Sequence, residues 1–454
     1  MAASLAPLLA CPRCDKALEP LDTGHHCSGC QVTFPLVGDI PWLFADPATS
    51  LGEWRGRLNF AVEKLDHDVA GFSSALRDKA LHELTRKRLE RLKGVTEDHA
   101  VRLRRLLEPL QIDTLEAQYA TYLALRTRLP SDQGLTTYYA NIHRDWVWGD
   151  EENTASSELI VDALGGAPAG KTLVLGAGAA RLAYDFHMQA APDLTVAMDF
   201  NPLLLLIGKA VMQGGSLELY EFPIAPARME DEGVLRTLEV DTPVREEFFF
   251  VLGDALRAPF AEQSFQTVVT PWLVDILPED FAVLARRINR LLTRGGRWIN
   301  FGSLAFSNAN PALRYSLDEC LALLEASGFE KSHLVEDTIP YMCSPASRHA
   351  RRESVVTWAA VKNKNAKRPP RAQALPDWLV KGNEPIPLLP AFQTQSLTTR
   401  VYAFIMSLID GQRSLKDVAG LMVEQRLMSE AEAEPGIRSF LIKMYEDSQR
   451  ASGY

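Results

Sequence analysis

The chain has 454 residues, 46% of them hydrophobic by a broad count and 23% charged, which excludes a disordered, fibrous or collagen-like protein and leaves ample apolar material for a sizeable core. At roughly 100–200 residues per domain, the length corresponds to two to four units. Forty-eight Lys and Arg stand against fifty-eight Asp and Glu, a net charge of −10, so a strongly basic nucleic-acid coat is absent, although a local basic patch stays open.

The start, MAASLAPLLACPRC, has no basic n-region and runs straight into cysteines, which makes a poor signal peptide. No apolar run approaches the ~18 residues of a membrane span, and a cytoplasmic protein is expected. Four of the six cysteines fall in the first thirty residues, a usage that suits a metal site in a reducing compartment better than a disulfide framework. Cys11-Pro-Arg-Cys14 and Cys27-Ser-Gly-Cys30 are two CxxC knuckles. Each bends two thiolates towards one point, and together they complete a tetrahedral site suited to zinc, structural because no coordination position is left open. His25 and His26, between the knuckles, are expected in a loop and not as ligands. Residues 1–48 are expected to form this ribbon domain.

Residues 51–150 read as a helical segment leading into a catalytic domain, with Leu81, Leu84, Leu89 and Leu92 at helical spacing. The cations between Arg86 and Lys93 are expected on a solvated helix face. From Lys171 short apolar runs alternate with helical stretches: KTLVLGAG, DLTVAMDF, FFFVLGDA, FQTVVTPW and GRWINFG. The alternation predicts an α/β domain over 151–363, a Rossmann-like, mostly parallel sheet with helices on both faces. ESVVTWAAVKN is expected as a last strand beside GRWINFG, antiparallel and at the edge. The basic, proline-rich stretch 364–378 reads as a solvated linker. Residues 379–454 predict two or three amphipathic helices around an Asp410-Gly411 turn, one of them Ser-capped.

Leu173-Val-Leu-Gly176-Ala-Gly178-Ala-Ala180 sits at a strand-to-helix junction. Gly176 suits the tight turn, Gly178 lets a ligand approach the backbone, and Ala180 replaces a third glycine while staying small. The next strand ends at Asp199, where a carboxylate can accept ribose hydroxyls. The third ends at Gly253-Asp254, within reach of an adenine amino group. Pro271-Trp272 followed by a helix and Gly295-Gly296-Arg-Trp-Ile resembles the pattern of class I S-adenosylmethionine-dependent methyltransferases.

Within that class the sequence resembles the carnosine N-methyltransferase-like family over roughly residues 138–362. Arg144-Asp145-Trp146 looks like the family's R-D-W segment. Val174-Leu-Gly-Ala-Gly-Ala-Ala-Arg-Leu182 looks like its V-P-G-A-G-L-G-R-L, and Gly296-Arg-Trp298-Ile-Asn300-Phe-Gly302 looks like its G-G-I-W-I-N-L-G. Ser316-Leu-Asp-Glu with Gly328-Phe329 looks like its S-x-E-D … G-F. The resemblance implies S-adenosyl-L-methionine as cofactor, with Arg144 on the methionine carboxylate, Gly176 and Gly178 lining it, Asp199 on the ribose and Asp254 on the adenine. It implies Asp275 as the catalytic carboxylate that grips a substrate imidazole, and Tyr341 as a substrate-side tyrosine. Asp275 also reads as a helix N-terminal residue. The family's G-P-L-x-aromatic-His becomes Gly302-Ser-Leu-Ala-Phe306-Ser307, which leaves the acceptor open among carnosine, other imidazoles and histidine-containing peptides. His333 and His349 are expected to be incidental.

Two further resemblances frame the ends. The cysteine ribbon with FPLVGDIPWLF is similar to small zinc-ribbon domains that stand beside methyltransferases, and to the ribbon that opens some bacterial rRNA guanine methyltransferases. Residues from Leu397 onward resemble PqqD-like modules that hold peptide precursors, which implies a peptide or protein partner. The reading is therefore an N-methyltransferase acting on an imidazole-bearing small molecule, dipeptide or peptide. An RNA base methyltransferase and a non-enzymatic adaptor are the alternatives, nucleic acid being disfavoured by the acidic charge.

Overall fold

Short runs of apolar residues interrupted by turn glycines fold the N-terminus into four antiparallel strands, β1 (Glu19–Leu21), β2 (Gly24–Cys27), β3 (Val32–Val37) and β4 (Ile40–Pro41). The computed structural model describes residues 4–112, 138–308, 310–370 and 385–450, and the chain divides into two compact units, Met1–Leu375 and Pro376–Tyr454. Parts of the expected helical segment (113–137), of the linker (371–378) and of the last segment (379–384 and 451–454) lie outside the described residues. Gly24 has φ +152°, and a Cβ there would stand 2.0 Å from the Phe34 carbonyl oxygen, so only glycine closes the β1–β2 turn. His25 and His26 lie on β2, not in a loop as the sequence suggested.

The ribbon is bonded into the first unit. Ala10 N–H donates to Pro259 O at 2.8 Å, Ala261 N–H to Leu8 O at 2.8 Å, and Leu43 N–H to Leu252 O at 2.7 Å. Leu8, Leu9, Cys27, Phe34 and Leu43 share one apolar core with the central strands of the following domain.

Helices α1 (Pro47–Ala75) and α2 (Glu83–Leu106) pack as an antiparallel pair. Several cations of α2 lie on a solvent-exposed face and are also engaged there. Arg86 donates to the Leu76 and Asp78 carbonyls, Arg91 to the Glu230 and Gly233 carbonyls, and Lys87 pairs with Glu83 at 2.7 Å. The Arg144–Trp148 segment is a π-helical turn ahead of α3 (Asp150–Asp162). Gly149 N–H bonds Arg144 O at 3.0 Å, and a Cβ at Gly149 would lie 2.3 Å from that oxygen.

The central sheet has seven strands: β5 (Lys171–Leu175), β6 (Leu194–Asp199), β9 (Phe248–Leu252), β10 (Phe265–Pro271), β11 (Leu292–Gly302), β12 (Phe329–Tyr341) and β13 (Arg351–Lys362). Their order is β12-β13-β11-β10-β5-β6-β9, parallel from β11 to β9, with β13 antiparallel to β11 and β12 antiparallel to β13. Every residue of β6 is buried, as a parallel strand covered on both faces requires. Helices α4 (Arg181–Ala190), α5 (Pro202–Met212), α6 (Phe281–Leu291) and α7 (Leu317–Ala326) flank it. ESVVTWAAVKN does lie antiparallel beside GRWINFG, but it is not the edge. The edge is β12, which the sequence did not signal because FEKSHLVEDTIPY mixes charges through the strand. A separate hairpin, β7 (Leu217–Glu221) and β8 (Val234–Leu238), is inserted between α5 and β9.

Two devices close the antiparallel side. The Lys362 ammonium is buried and donates to Asn289 O and Leu292 O at 2.6 and 2.7 Å, capping the last carbonyls of α6. The start of the expected linker is mostly exposed but held at two points, with Ala366 N–H on Asn289 Oδ1 at 3.0 Å and Arg368 paired to Asp15.

Among the described residues the second unit holds three helices, α8 (Pro390–Ser407), α9 (Leu415–Glu424) and α10 (Glu430–Arg450). Gly411 takes φ +77° in the turn after α8, and Ser414 caps α9 in a reciprocal box with Asp417. No described helix is long and apolar enough to cross a membrane.

Candidate active site

The strand order reverses between β5 and β10, and in open α/β sheets ligands bind at the carboxyl ends of strands beside such a reversal. A cavity of about 260 Å³ lies there. The turn after β5 forms one wall. Gly176 has φ +71°, and a Cβ on it would come within 2.8 Å of Leu273 Cδ1. At Gly178, with φ +58°, a Cβ would meet nothing within 4 Å. Its place is empty space in the cavity, a cradle that a side chain would fill. Ala180 adopts φ +65° at the head of α4.

Asp199, at the end of β6, lines the cavity but is only 6% exposed. Its Oδ2 accepts Gly178 N–H and its Oδ1 accepts Asn201 N–H, both at 2.8 Å. Burial pushes its carboxyl up to about 6 against those hydrogen bonds. Arg144, from the π-helical turn, is clamped between acids: Nε–H on Asp145 Oδ1 at 2.8 Å and Nη1–H on Glu152 Oε1 at 3.0 Å. Burial works against its charge, but Asp145 and Glu152 outweigh it and hold the guanidinium above its ordinary value. Glu152 Oε2 in turn accepts Met342 N–H at 2.7 Å, tying the arginine to the end of β12.

The opposite wall comes from the ends of β10, β12 and β13. Trp272 follows β10 in a left-handed conformation, φ +51°, unusual for a bulky residue. Its N–H is held by Phe301 O at 2.7 Å. Asp275 Oδ2 accepts Ala305 N–H at 2.7 Å and lies 3.4 Å from Ser303 Oγ. It caps no helix, since the cap of α6 is Asp280, whose Oδ1 accepts Ala282 and Val283 N–H. The Tyr341 ring lies 5.1 Å from that of Trp272, and burial raises its hydroxyl above the usual phenol range.

With that geometry in place, residues 131–364, half of the chain, match the carnosine N-methyltransferase family. The chain belongs to this family. It is an S-adenosylmethionine-dependent methyltransferase. No curated protein sequence matches it. Among solved structures, a putative methyltransferase from Bacillus halodurans is 15% identical and covers 46% of this chain and 100% of its own, with a TM-score of 0.33. The N-methyltransferase NodS from Bradyrhizobium japonicum, in complex with S-adenosyl-L-homocysteine, is 12% identical, covers 50% and 99%, and has a TM-score of 0.33.

The cavity of this methyltransferase brings together Arg144, Gly176, Gly178, Asp199, Asp275 and Tyr341. Asp254 is not among the lining residues. Its Oδ1 accepts Leu256 N–H at 2.8 Å and so caps the short turn after β9. Tyr138, Arg351 and Glu353 line the cavity and were not picked out from the sequence. The open cradle at Gly178 and the buried carboxylate behind it fit a ligand that carries a ribose and lies against the glycine turn.

Away from the cavity, the four cysteines converge. All four sulfurs lie within 4.8 Å of one another, with Cys14 and Cys27 at 3.4 Å and Cys11 and Cys30 at 4.0 Å. Zinc–sulfur bonds of about 2.3 Å place tetrahedral sulfurs about 3.8 Å apart, so the donor set fits zinc in spacing and chemistry. These separations are far beyond a disulfide bond, and all four are free thiols.

Proposed function

We propose that this methyltransferase transfers the sulfonium methyl of S-adenosylmethionine to a ring nitrogen of an imidazole, borne by a histidine-containing small molecule, dipeptide or peptide. The observation that carries the reading is Asp275. One of its oxygens is fixed by Ala305 N–H, while among the described residues the other has no partner, in the cavity shared with the glycine turn. A carboxylate so held accepts the N–H of a neutral imidazole, fixes its tautomer and leaves the other nitrogen free to attack. That lone pair forms the N–CH₃ bond as the S–CH₃ bond breaks and its electron pair goes to sulfur, giving a neutral thioether. The methylated imidazolium then releases its N–H proton past Asp275 to water. Imidazole, with a pKa of about 6.5, is neutral at pH 7, so alignment does most of the work. Trp272 and Tyr341, tilted 60° to one another, supply aromatic surface for the ring.

In this reading Gly176 and Gly178 let the cofactor lie against the backbone, and Asp199 accepts its ribose hydroxyls. Arg144 meets its carboxylate through guanidinium N–H groups that Asp145 and Glu152 leave over. The four cysteines hold a structural zinc ion. An RNA acceptor finds little support, because each arginine lining the cavity already faces an acid: Arg144 with Asp145, Arg181 with Asp185, Arg351 with Glu353.

The test is methyl transfer from labelled S-adenosylmethionine to histidine, carnosine, histidine peptides and total RNA, beside calorimetric cofactor binding. Asp275→Ala is expected to lower kcat by about a hundredfold or more while cofactor affinity stays within about threefold. Transfer to RNA alone would refute the imidazole reading.

A further inference from the structure

A single buried carboxylate joins the two sides of the cavity without lining it. Glu152 lies in the first turn of α3 and is 3% exposed. Its oxygens are divided between the walls: Oε1 accepts Arg144 Nη1–H at 3.0 Å, and Oε2 accepts Met342 N–H at 2.7 Å. Asp145 already meets the same guanidinium through Nε and Nη2, at 2.8 and 2.7 Å. One acid balances the charge of Arg144, and burying a second one costs free energy. What Glu152 adds is reach. Met342 is the residue after Tyr341 and takes φ +53°, a left-handed conformation that a long side chain adopts only where its surroundings hold it. Further along, Ser344 donates to Glu221, Ala346 O accepts Ala227 N–H, and Arg348 N–H bonds Ala225 O. The connection from β12 to β13 is thus fixed to the β7–β8 insertion on one side and to α3 at its first residue.

We infer that Glu152 is a positioning residue that couples the two binding events, setting Tyr341 in place when the amino-acid end of the cofactor docks on Arg144. The inference rests on the placement of cofactor and acceptor proposed above and adds a binding order to it. A carboxylate on Arg144 fixes the guanidinium. The Glu152 side chain that shares it then loses its freedom to swing, and so does the Met342 amide on its other oxygen. The first ligand thereby orders the end of β12, and the second meets a wall already formed. By linkage the acceptor tightens the cofactor by the same factor. The amino-acid carboxylate is the part of the cofactor that carries the signal. S-Adenosylhomocysteine has it, whereas 5′-methylthioadenosine has the same nucleoside and thioether without it.

The experiment saturates the unmodified enzyme with one or the other of these two ligands. It reads hydrogen exchange at the Met342 amide and calorimetric affinity for histidine and carnosine. S-Adenosylhomocysteine is expected to slow the exchange about tenfold or more and to tighten the imidazole probe by a similar factor. Methylthioadenosine should change neither by more than about twofold. Glu152→Gln keeps an oxygen for Met342 N–H but turns an NH₂ group towards Arg144, and should bring both ratios close to one. Glu152→Asp, one methylene too short to reach both partners, should do the same. If neither variant folds, the two ligands on the unmodified enzyme still decide. Equal protection by both overturns the inference, because the coupling would then run through the nucleoside. Equal affinity for both also overturns it, since no carboxylate would then sit on Arg144. Protection that survives in a folded Glu152→Gln does so as well. The expected exchange pattern, with neither imidazole bound nor methylated, supports the coupling and refutes the imidazole reading alone.

Discussion

The two walls of the cavity are built on different principles. On the β5–β6 side the polar groups are already satisfied by backbone: Asp199 has an N–H on each oxygen, and the amides of Gly176 and Ala177 both bond Met198 O, at 2.9 and 3.0 Å. On the β10–β13 side the chemistry sits on side chains with open valences, namely one oxygen of Asp275, the Tyr341 hydroxyl and the terminal nitrogens of Arg351. A wall made of backbone suits a ligand that is always the same. A wall made of side chains can be changed residue by residue, and the proposed reading sets the acceptor against it.

Three perturbations test that division. The largest effect is expected from the proposed zinc site, whose ribbon supports the backbone wall through the bonds from Ala10 and Leu43 to the end of β9 and the loop after it. Stripping zinc with a chelator, or Cys11→Ser, should destabilise the first unit by something on the order of several kcal/mol. Cofactor affinity should fall with it, while the preference of whatever enzyme stays folded among the imidazole acceptors is unchanged. Thermal melts with metal quantification, then kinetics, follow this. A preference lost in step with zinc would dissolve the distinction between the walls.

Next comes Gly178→Val. A side chain in the left-handed region costs about 1–2 kcal/mol and fills the open cradle. Cofactor affinity should drop by about a hundredfold or more while the melting temperature moves by only a few degrees. Retained affinity in calorimetry would mean that the cofactor does not lie against the glycine turn.

The smallest effect is the response to pH. Asp199 must be ionised to accept hydroxyl protons, and burial holds its carboxyl up to about 6. Cofactor affinity should therefore weaken as pH falls through 6, by at most about tenfold per unit, and Asp199→Asn should flatten the profile. Stability moves for a separate reason. Burial depresses His99 to about 4 and His143 to about 3. Both are neutral in the fold while the unfolded chain takes up protons below about 6.5, so their contribution is present above that pH. It is lost as pH falls towards 4, by up to about 1.4 kcal/mol per unit for each. Asp199 acts in the opposite sense between about 4 and 6, where the folded state holds a proton that the unfolded chain has released.

The difference between the walls also explains how much could be read in advance. The glycine turn, the acid ending the second strand, the CxxC knuckles and the parallel strands are local patterns, each set by a few neighbouring residues, and they stand where the spacing put them. Tyr138, Arg351 and Glu353 carry no local signature. Arg351 and Glu353 meet the cavity because β13 runs antiparallel to β12 in a register that sets Tyr341 opposite Arg351, and no short pattern encodes that register. The β12 edge was missed for a related reason: its exposed Glu330, Lys331, Glu336 and Asp337 guard an open strand from pairing with other chains and thereby hide its period of two. Asp254 shows the reverse case, a residue in the expected sequence position that lies outside the cavity lining, with one carboxylate oxygen bonding its own turn.

The bond between Leu43 and Leu252 has a consequence for the order of events during synthesis. The ribosome makes a chain from its N-terminus at roughly 5–20 residues per second, so the ribbon emerges complete some tens of seconds ahead of the strand it will flank. All four cysteines of the proposed zinc site lie within its first thirty residues, so the ribbon has its complete donor set before β9 is made. It then waits as a finished template, offering Trp42 and Leu43 to a β9 that has not yet been translated. A shortage of metal would thus be felt first by nascent chains, as a defect of yield, before it touched the turnover of enzyme already made.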